Sequence, residues 1–185
     1  MAREASLVFL ARRIRSEAEV RHRLERQYHS SIVDQVVQWL KTQGFVNDVV
    51  LAQEWRQQRE RSKPKGKSMI RHELLDQGID RQVVDQALEG FDSPGNAYQA
   101  ASTWWSKHSS TTYSTKGSSQ DSSNENLADS KLRRRLWSYL QRRGFEDELI
   151  GDTMRRLWSE LSDPLDGGVD TDGRGQQSPD GRPVE

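Results

Sequence analysis

The sequence predicts an all-α protein, built as an elongated, curved array of three tandem three-helix repeats with a disordered insertion and tail. Three observations favour this fold class. The 185 residues contain no sustained alternation of apolar and polar positions and no Asn-Gly hairpin turn, so strand signals are almost absent. Apolar residues recur instead at helical spacing. The same apolar pattern occurs three times along the chain, which indicates small helical units that stack and share a core.

The composition favours thin helical units and excludes several classes of site. Hydrophobic residues make up 32% and charged residues 30% of the chain, which suits an elongated helical protein with some disorder. There is no cysteine, so disulfides and thiolate metal sites are excluded and a reducing compartment fits. No apolar run approaches the roughly 20 residues of a membrane span. We therefore expect a cytoplasmic protein with no membrane association.

The last helix of each unit carries the clearest repeat. Segments 32–40, 83–91 and 149–157 each place mostly apolar residues at i, i+1, i+4, i+5 and i+8, which is one broad helix face. Two apolar residues four positions apart precede each segment and predict a middle helix. These pairs are Val20 and Leu24, Ile70 and Leu74, and Leu136 and Leu140. A leading helix is expected before each pair, over 3–13, 48–61 and 95–106.

Capping residues and glycines mark the predicted helix ends. Ser16 and Glu19 have the S-x-x-E spacing of a capping box, and Asn47 with the acid that follows it begins a later helix. Gly78 and Gly144 follow the second and third middle helices, where a left-handed C′ residue is common. The first unit lacks this glycine and is one residue shorter. We therefore expect a less regular turn at residue 27.

These patterns divide the chain into four parts. The three repeats are predicted at 1–45, 46–92 and 93–162, followed by a disordered acidic tail at 163–185. A serine- and threonine-rich stretch at 107–128 has almost no apolar residues, so we expect a flexible insertion inside the third repeat. Residues 160–185 contain seven acids and two arginines. Because the whole chain is neutral, the preceding residues carry a net charge of +5.

The sequence contains no pattern that predicts catalysis, a cofactor or a metal. None of the four histidines has a second histidine at metal-binding spacing; they are His22, His29, His72 and His108. Gly66-Lys67-Ser68 matches the end of a phosphate-binding loop. Arg61 stands where the first glycine of that motif belongs, and no strand precedes it, so a nucleotide-hydrolysing site is excluded. We expect a protein without enzyme activity, cofactor or metal.

The tryptophans are interpreted as packing residues. Trp39, Trp55, Trp137 and Trp158 lie on or beside predicted apolar helix faces. A single apolar stripe cannot bury the adjacent pair at 104 and 105, so one of the two is a candidate contact residue.

Basic residues form the candidate binding surface. Clusters at 12–26, 56–71 and 133–143 place one group in each repeat. Such clusters are either ordinary solvated helix faces or one basic stripe that binds phosphates or an acidic protein surface. Within the second cluster, Lys63 to Lys67 is predicted as a turn that presents positive charge between two helices. The candidate binding residues are Arg56, Arg59, Lys63, Lys65, Lys67, Arg71, Arg21, Arg133 and Arg135.

The chain resembles the RecX regulatory proteins of bacteria. The resemblance is carried by "LARRIRSEAEVRHRLERQ", by "LKTQGFVNDVVLAQEWRQQRERSKPKGKSMIRHELLDQGIDRQVVDQAL" and by "LRRRLWSYLQRRGFEDELI". The order and spacing match over about residues 5–160, and the most specific part runs from Gly44 to Leu88. The sequence departs from the family in the acidic turn, which reads Asn47-Asp48 where Asp-Asp is usual, and in the insertion and the tail.

The resemblance implies both a fold and a function. RecX proteins consist of tandem three-helix repeats and are not enzymes. They bind along the groove of the RecA–DNA filament, inhibit strand exchange, coprotease function and ATP hydrolysis, and favour filament disassembly. The candidate basic residues would then contact the filament, and DNA weakly or through the filament. We expect a monomer. The alternatives are a stand-alone basic helical DNA-binding module and a helical adaptor for another protein.

Overall fold

The computed structural model describes residues 1–114 and 122–162, with side chains described over 1–109 and 130–161. The predicted acidic tail and residues 115–121 of the predicted insertion lie outside these described residues. Helices alone form the secondary structure of the described part, which confirms the all-α prediction. They are α1 (Ala2–Leu10), α2 (Glu17–Glu25), α3 (Ser30–Thr42), α4 (Asp48–Ser62), α5 (Lys67–Asp76), α6 (Arg81–Ala87), α7 (Ser93–Ser114), α8 (Ser122–Arg142) and α9 (Asp147–Ser162).

Three apolar clusters hold these helices in successive groups of three. One cluster joins α1 to α3 around Val20 and Leu40, and a second joins α4 to α6 around Ile70 and Leu88. The third joins α7 to α9 around Leu136. Each group buries only a small core, and each predicted middle-helix pair lies at its centre, 2% exposed or less. The prediction of three tandem three-helix repeats is therefore confirmed.

The leading helices differ most from their predicted bounds. Helix α4 matches the prediction within one residue, whereas α1 ends at Leu10 and α7 runs on to Ser114. Helix α1 ends early because the chain has to turn before the α2 cap at Ser16. Helix α7 continues because residues 107–114 contain no proline or glycine, and His108 stacks on Trp104 one turn earlier, at 4.2 Å between ring centroids. Part of the stretch 107–128, predicted as an insertion, therefore has helical backbone.

The last helices bury the predicted faces with two exceptions. In α3, Val33, Val37 and Leu40 are buried, but Ile32 in the first turn is 43% exposed because that turn extends beyond the core. Helix α6 ends at Ala87, short of the predicted 91, and Gly90 adopts a left-handed φ of 62°.

The helix caps follow the sequence closely. The Ser16 capping box forms with Glu19, and the Asn47 side chain accepts from the backbone N–H groups of residues 49 and 50. Gly78 and Gly144 adopt φ values of 76° and 78°, as predicted for C′ positions.

The middle helices of the first two repeats meet end to end. The turn that follows α5 packs against the first turn of α2. There the Ser16 hydroxyl donates to the carbonyl oxygen of Gln77, and a Cβ placed on Gly78 would lie 2.4 Å from the Ala18 Cβ. The backbone N–H of Glu17 also donates to an Asp48 carboxylate oxygen at 2.9 Å. The C-terminal end of one helix thus faces the N-terminal end of the next, which is the favourable alignment of their dipoles.

The joint between the second and third repeats has the same arrangement. The turn that follows α8 packs against the start of α5. The Gly66 N–H donates to the Arg143 carbonyl oxygen at 2.8 Å, and the Ser68 hydroxyl donates to the Gly144 carbonyl oxygen at 2.8 Å. An Arg143 guanidinium nitrogen donates to the Pro64 carbonyl oxygen at 2.9 Å. Helices α8, α5 and α2 therefore form a series joined end to end.

Candidate binding surface

The basic turn links α4 to α5, as predicted, but only part of its charge faces solvent. Lys63 and Lys67 are exposed, whereas Pro64 and Gly66 are buried. A Cβ on Gly66 would lie 1.8 Å from the Gly144 carbonyl oxygen, so residue 66 must be glycine for the turns to meet. The Pro-Gly pair therefore serves the contact with the third repeat, and Ile70 anchors the turn in the core beneath it.

Two candidate basic residues pair with an acid on α5. The Glu73 carboxylate accepts hydrogen bonds from the Trp55 indole at 2.8 Å, from Arg59 at 2.9 Å and from Lys65. Burial opposes ionisation of Glu73, but the bonds from Lys65, Arg59 and Trp55 outweigh it and hold its pKa below the usual value. Arg59 also lies over the Trp55 ring, 4.5 Å from its centroid. Arg59 and Lys65 therefore help to hold the turn in place.

Arg56 is used to cap a helix. Its guanidinium donates to the carbonyl oxygens of Ala87, the last residue of α6, at 2.9 Å and of Glu89, just beyond it, at 2.7 Å. It also pairs with Glu60 at 2.9 Å. A cation at this position satisfies carbonyls that have no partner within the helix. Sequence spacing gives no sign of this role, because more than 30 residues separate Arg56 from these carbonyls.

Arg21 and Arg71 occupy equivalent places on the first two middle helices. Arg21 pairs with Asp34 at 2.6 Å, and Arg71 pairs with Asp85 at 2.7 Å, each acid lying on the last helix of the same repeat. The two arginine side chains are more than one-third exposed, so solvent weakens both ion pairs. A partner can therefore bind either arginine at a small cost in lost ion-pair energy.

The third repeat contains an open cleft between α7 and α8, with a volume of about 490 Å³. Its lining residues are Trp104, His108, Arg134, Arg135, Ser138 and Arg142. The candidate Arg135 thus faces the cleft, while Arg133 lies over the Trp158 ring, 4.7 Å from its centroid. Of the adjacent tryptophans, Trp104 is 7% exposed in the core and Trp105 packs edge-on against Trp158. Both of them pack within the repeat, on different sides of α7.

Eight of the nine candidate basic residues therefore fall into two classes, and the ninth, Arg133, packs over Trp158. Five of them have acidic or carbonyl partners within the protein: Arg21, Arg56, Arg59, Lys65 and Arg71. Lys63, Lys67 and Arg135 have no acid within 4 Å among the described side chains. Over residues 1–109 and 130–161, no group of histidines and acids is arranged to hold a metal ion. No helix in the described part is long and apolar enough to cross a membrane.

Comparison with known proteins identifies two of the three repeats. Residues 2–40 match the family description "RecX, first three-helix domain", and residues 47–88 match "RecX, second three-helix domain". The first of these segments contains α1 to α3 without the end of α3, and the second begins at the α4 N-cap and includes α6. The matched segments therefore follow the repeats seen in the structure.

Similar proteins cover most of the chain. The regulatory protein RecX of Mycolicibacterium vanbaalenii is 31% identical over 154 residues, which are 83% of this chain and 80% of that protein. The regulatory protein RecX of Chlorobium phaeobacteroides is 26% identical over 156 residues, 84% of this chain and 92% of that protein. The crystal structure of RecX from Lactobacillus salivarius shares the fold at 18% identity, with a TM-score of 0.64 over 85% of this chain and 95% of that one. This chain belongs to the RecX family of regulatory proteins.

Proposed function

We propose that this protein is a non-enzymatic regulator of the RecA recombinase, and that it acts in the cytoplasm on the RecA–DNA filament. In this proposal the bound protein inhibits strand exchange, ATP hydrolysis and coprotease activity. The observation that carries the proposal is family membership, supported by matches to the first two three-helix domains and by a relative 31% identical over most of its length.

The repeat geometry suits a polymeric partner. The three middle helices contain 9, 10 and 21 residues, so their lengths add up to about 60 Å at 1.5 Å per residue. A body of this length can contact more than one protomer of a filament. Linked contacts gain from effective concentration, so each can be weak while the whole binds firmly. A monomer suffices for this, because the filament supplies the multiplicity.

Lys63 and Lys67 are the strongest candidates for filament contact in the second repeat. Both are exposed and lack an acid within 4 Å among the described side chains, so a partner can bind these two lysines without breaking an internal ion pair. Arg71 and Arg21 are secondary candidates because their ion pairs are exposed and weak. Reversing the charge of Lys65 would place a second acid beside Glu73, which would disturb the fold as well as any contact.

The test is DNA-dependent ATP hydrolysis by RecA with substoichiometric amounts of this protein. Inhibition well below one molecule per RecA subunit is expected if the protein caps or bridges the filament. The alternative, a stand-alone DNA-binding module, predicts inhibition only at amounts that cover the DNA. RecA activity unaffected at saturating amounts would contradict both and favour an adaptor for another protein.

The variant Lys63→Glu/Lys67→Glu tests the assigned contact. We expect weaker inhibition with unchanged helical content by circular dichroism. Arg3→Glu/Arg81→Glu is the matched control, since both arginines are exposed, both lie outside the three basic clusters, and the change in charge is identical. Equal losses in the two variants would show that overall charge, and not the basic turn, governs filament binding.

A further inference from the structure

We propose that the acidic stretch at residues 163–172 docks, within the same molecule, into the cleft between α7 and α8. The cleft is then occupied by the protein's own carboxylates, and any other polyanion has to displace them before it can bind there. The docking itself does not depend on what else the protein binds. Its consequence, an inhibition of RecA that is weaker than the basic surface alone would give, rests on the function proposed above.

The first support is the unbalanced positive charge of the cleft. Arg134, Arg135 and Arg142 are three of its six lining residues. All three are exposed, and none has an acid within 4 Å among the described side chains. The stretches of α7 and α8 whose side chains are described, 93–109 and 130–142, contain no acid at all. The two helices that form the cleft therefore supply no counterion for its arginines over these stretches.

The second support comes from a difference between repeats that share the same fold. Tyr139 and Glu73 are equivalent, since each lies five residues before the left-handed glycine of its turn. In the second repeat, Glu73 pairs with Arg59 and Lys65. In the third, Tyr139 lies against Trp104, with ring centroids 6.0 Å apart, and brings no negative charge. The acid that balances the cations in one repeat therefore has to come from elsewhere in the other.

The acidic stretch begins next to one wall of the cleft. Residues 163–172 follow α9 directly and contain four acids and no base, which are Asp163, Asp166, Asp170 and Asp172. The end of α9 is attached to α7, because the Tyr98 hydroxyl donates to the Glu160 carboxylate. Trp158 also packs edge-on against Trp105, with ring centroids 5.2 Å apart. The point at which the acidic stretch leaves the last helix is thus fixed beside α7.

The distances allow the acids to reach the arginines. Trp104, which lines the cleft, lies six residues after Tyr98, or about 9 Å along α7. Ten extended residues span up to about 33 Å, which is enough to pass around a helix about 10 Å wide. A short linker of this kind gives an effective concentration in the millimolar range, so contacts that are weak between separate molecules suffice within one. Exposed ion pairs are individually weak, and so the docked segment stays displaceable.

The spacing of the acids suits the spacing of the arginines. Arg135 and Arg142 are seven residues apart on α8, or about 10 Å along the helix axis. Asp166 and Asp170 are four residues apart, and an extended chain separates them by up to about 13 Å. Both carboxylates can therefore engage a guanidinium at the same time. A guanidinium can bind both oxygens of one carboxylate, which favours these arginines over the lysines of the basic turn as the docking site.

Disulfide cross-linking in the full-length protein tests the docking, because the chain contains no cysteine of its own. The test variant pairs Val169→Cys with Ser138→Cys in the cleft, with oxidised glutathione as the oxidant. The control pairs Val169→Cys with Ser106→Cys, an exposed serine two residues after Trp104 and so about 200° around α7. The Ser138 pair should cross-link at least about fivefold faster in 0.1 M NaCl. It should lose most of this advantage in 1 M NaCl, where the Debye length falls from about 10 to about 3 Å.

Two results of this experiment would overturn the proposal. Equal rates for the Ser138 and Ser106 pairs would mean that the acidic stretch does not favour the cleft. Disulfide-linked dimers in place of cross-linked monomers, seen on a non-reducing gel, would mean that the stretch docks on a second copy of the chain.

Charge variants show whether the carboxylates cause the docking. Asp166→Asn/Asp170→Asn/Asp172→Asn should abolish the advantage of the Ser138 pair. The control Glu25→Gln/Glu54→Gln/Glu89→Gln removes three exposed acids elsewhere and should preserve it. An equal effect of the two triple variants would overturn the proposal, because net charge alone would then explain the cross-linking.

RecA ATP hydrolysis tests the consequence for function separately. Without the added cysteines, the triple asparagine variant should inhibit at a concentration at least about threefold lower than the unchanged protein, since it need not displace its own segment. Unchanged inhibition would overturn the regulatory consequence and leave the docking to the cross-linking result. A complete lack of inhibition by every variant would contradict the function proposed above and not the docking.

Discussion

Replacing Gly66 by alanine tests the joint between the second and third repeats. The backbone φ at this position is −69°, which any residue adopts without strain, so the change adds only one methyl group. That methyl would lie 1.8 Å from the Gly144 carbonyl oxygen, 2.3 Å from its carbon and 2.8 Å from the Phe145 nitrogen. All three atoms belong to the backbone, so no side chain can move aside to make room.

The expected cost can be worked out from the contacts that the displacement breaks. The turns have to separate by about 1.5 Å to restore an ordinary contact distance. This lengthens the bond from the Gly66 N–H to the Arg143 oxygen, now 2.8 Å, beyond hydrogen-bonding range. The bonds from Ser68 and from the Arg143 guanidinium cross the same joint. Three bonds at about 1 kcal/mol each, or an overpacking cost of about 1–3 kcal/mol, give a loss of about 2–3 kcal/mol.

Thermal unfolding followed by circular dichroism measures this loss. For a chain of this size it corresponds to a fall in Tm of about 5–10 °C. The transition should also broaden, since repeats that lose an interface unfold less cooperatively. The matched control is Gly151→Ala in α9, where a Cβ meets nothing within 4 Å and a helix gains up to about 1 kcal/mol from alanine. If Gly66→Ala unfolds at the wild-type temperature, the two turns do not pack as described.

Substitutions at two further positions test the charged groups that hold the repeats. Glu73 has a lowered pKa, so its stabilising effect is complete above its usual value and is lost as the pH falls through the folded-state pKa. Glu73→Gln should therefore lower the free energy of unfolding, measured by urea titration, by about 1–2 kcal/mol at pH 7 and by less at about pH 3. An equal loss of stability at the two pH values would argue against the ion pairs with Arg59 and Lys65. Burial raises the pKa of Asp48, so its charge opposes folding above that pKa, while its oxygen still accepts from the Glu17 N–H. Asp48→Asn should thus leave the free energy of unfolding at pH 7 unchanged or higher, whereas Asp48→Ala should lower it by about 1 kcal/mol. Similar losses in the two variants would show that the charge itself is needed.

The features that the sequence predicts are those set by neighbouring residues. The Ser16 capping box depends on a residue three positions away, and the left-handed conformation at Gly78 depends on the helix just before it. The apolar faces follow from helical spacing alone. Such local interactions are present in the chain before any tertiary contact forms, and so their signals can be read from composition and spacing.

The roles of the basic residues depended on contacts between helices. Glu73 lies two residues beyond the basic cluster at 56–71, and only the packing of α4 on α5 brings it to Arg59. Arg56 finds its carbonyl partners more than 30 positions away. Long side chains can reach several partners, so the choice among them is made by tertiary structure. Five of the nine candidate basic residues have partners within the protein, a pairing that the basic clusters in the sequence did not predict.

This division of the charges restricts where a polyanionic partner can bind. A phosphate that recruited Lys65 would leave Glu73 partly buried with one cation fewer, and an uncompensated buried charge is costly. Cations without an acidic partner in the described part impose no such penalty. They include Lys63 and Lys67 on the basic turn and Arg134, Arg135 and Arg142 on α8. The joint brings these two sets together, because Arg143 donates to Pro64 within the turn itself. If both sets bind the same partner, then displacing the joint with Gly66→Ala should weaken binding by as much as the loss of one set at most, even below the temperature at which the variant unfolds.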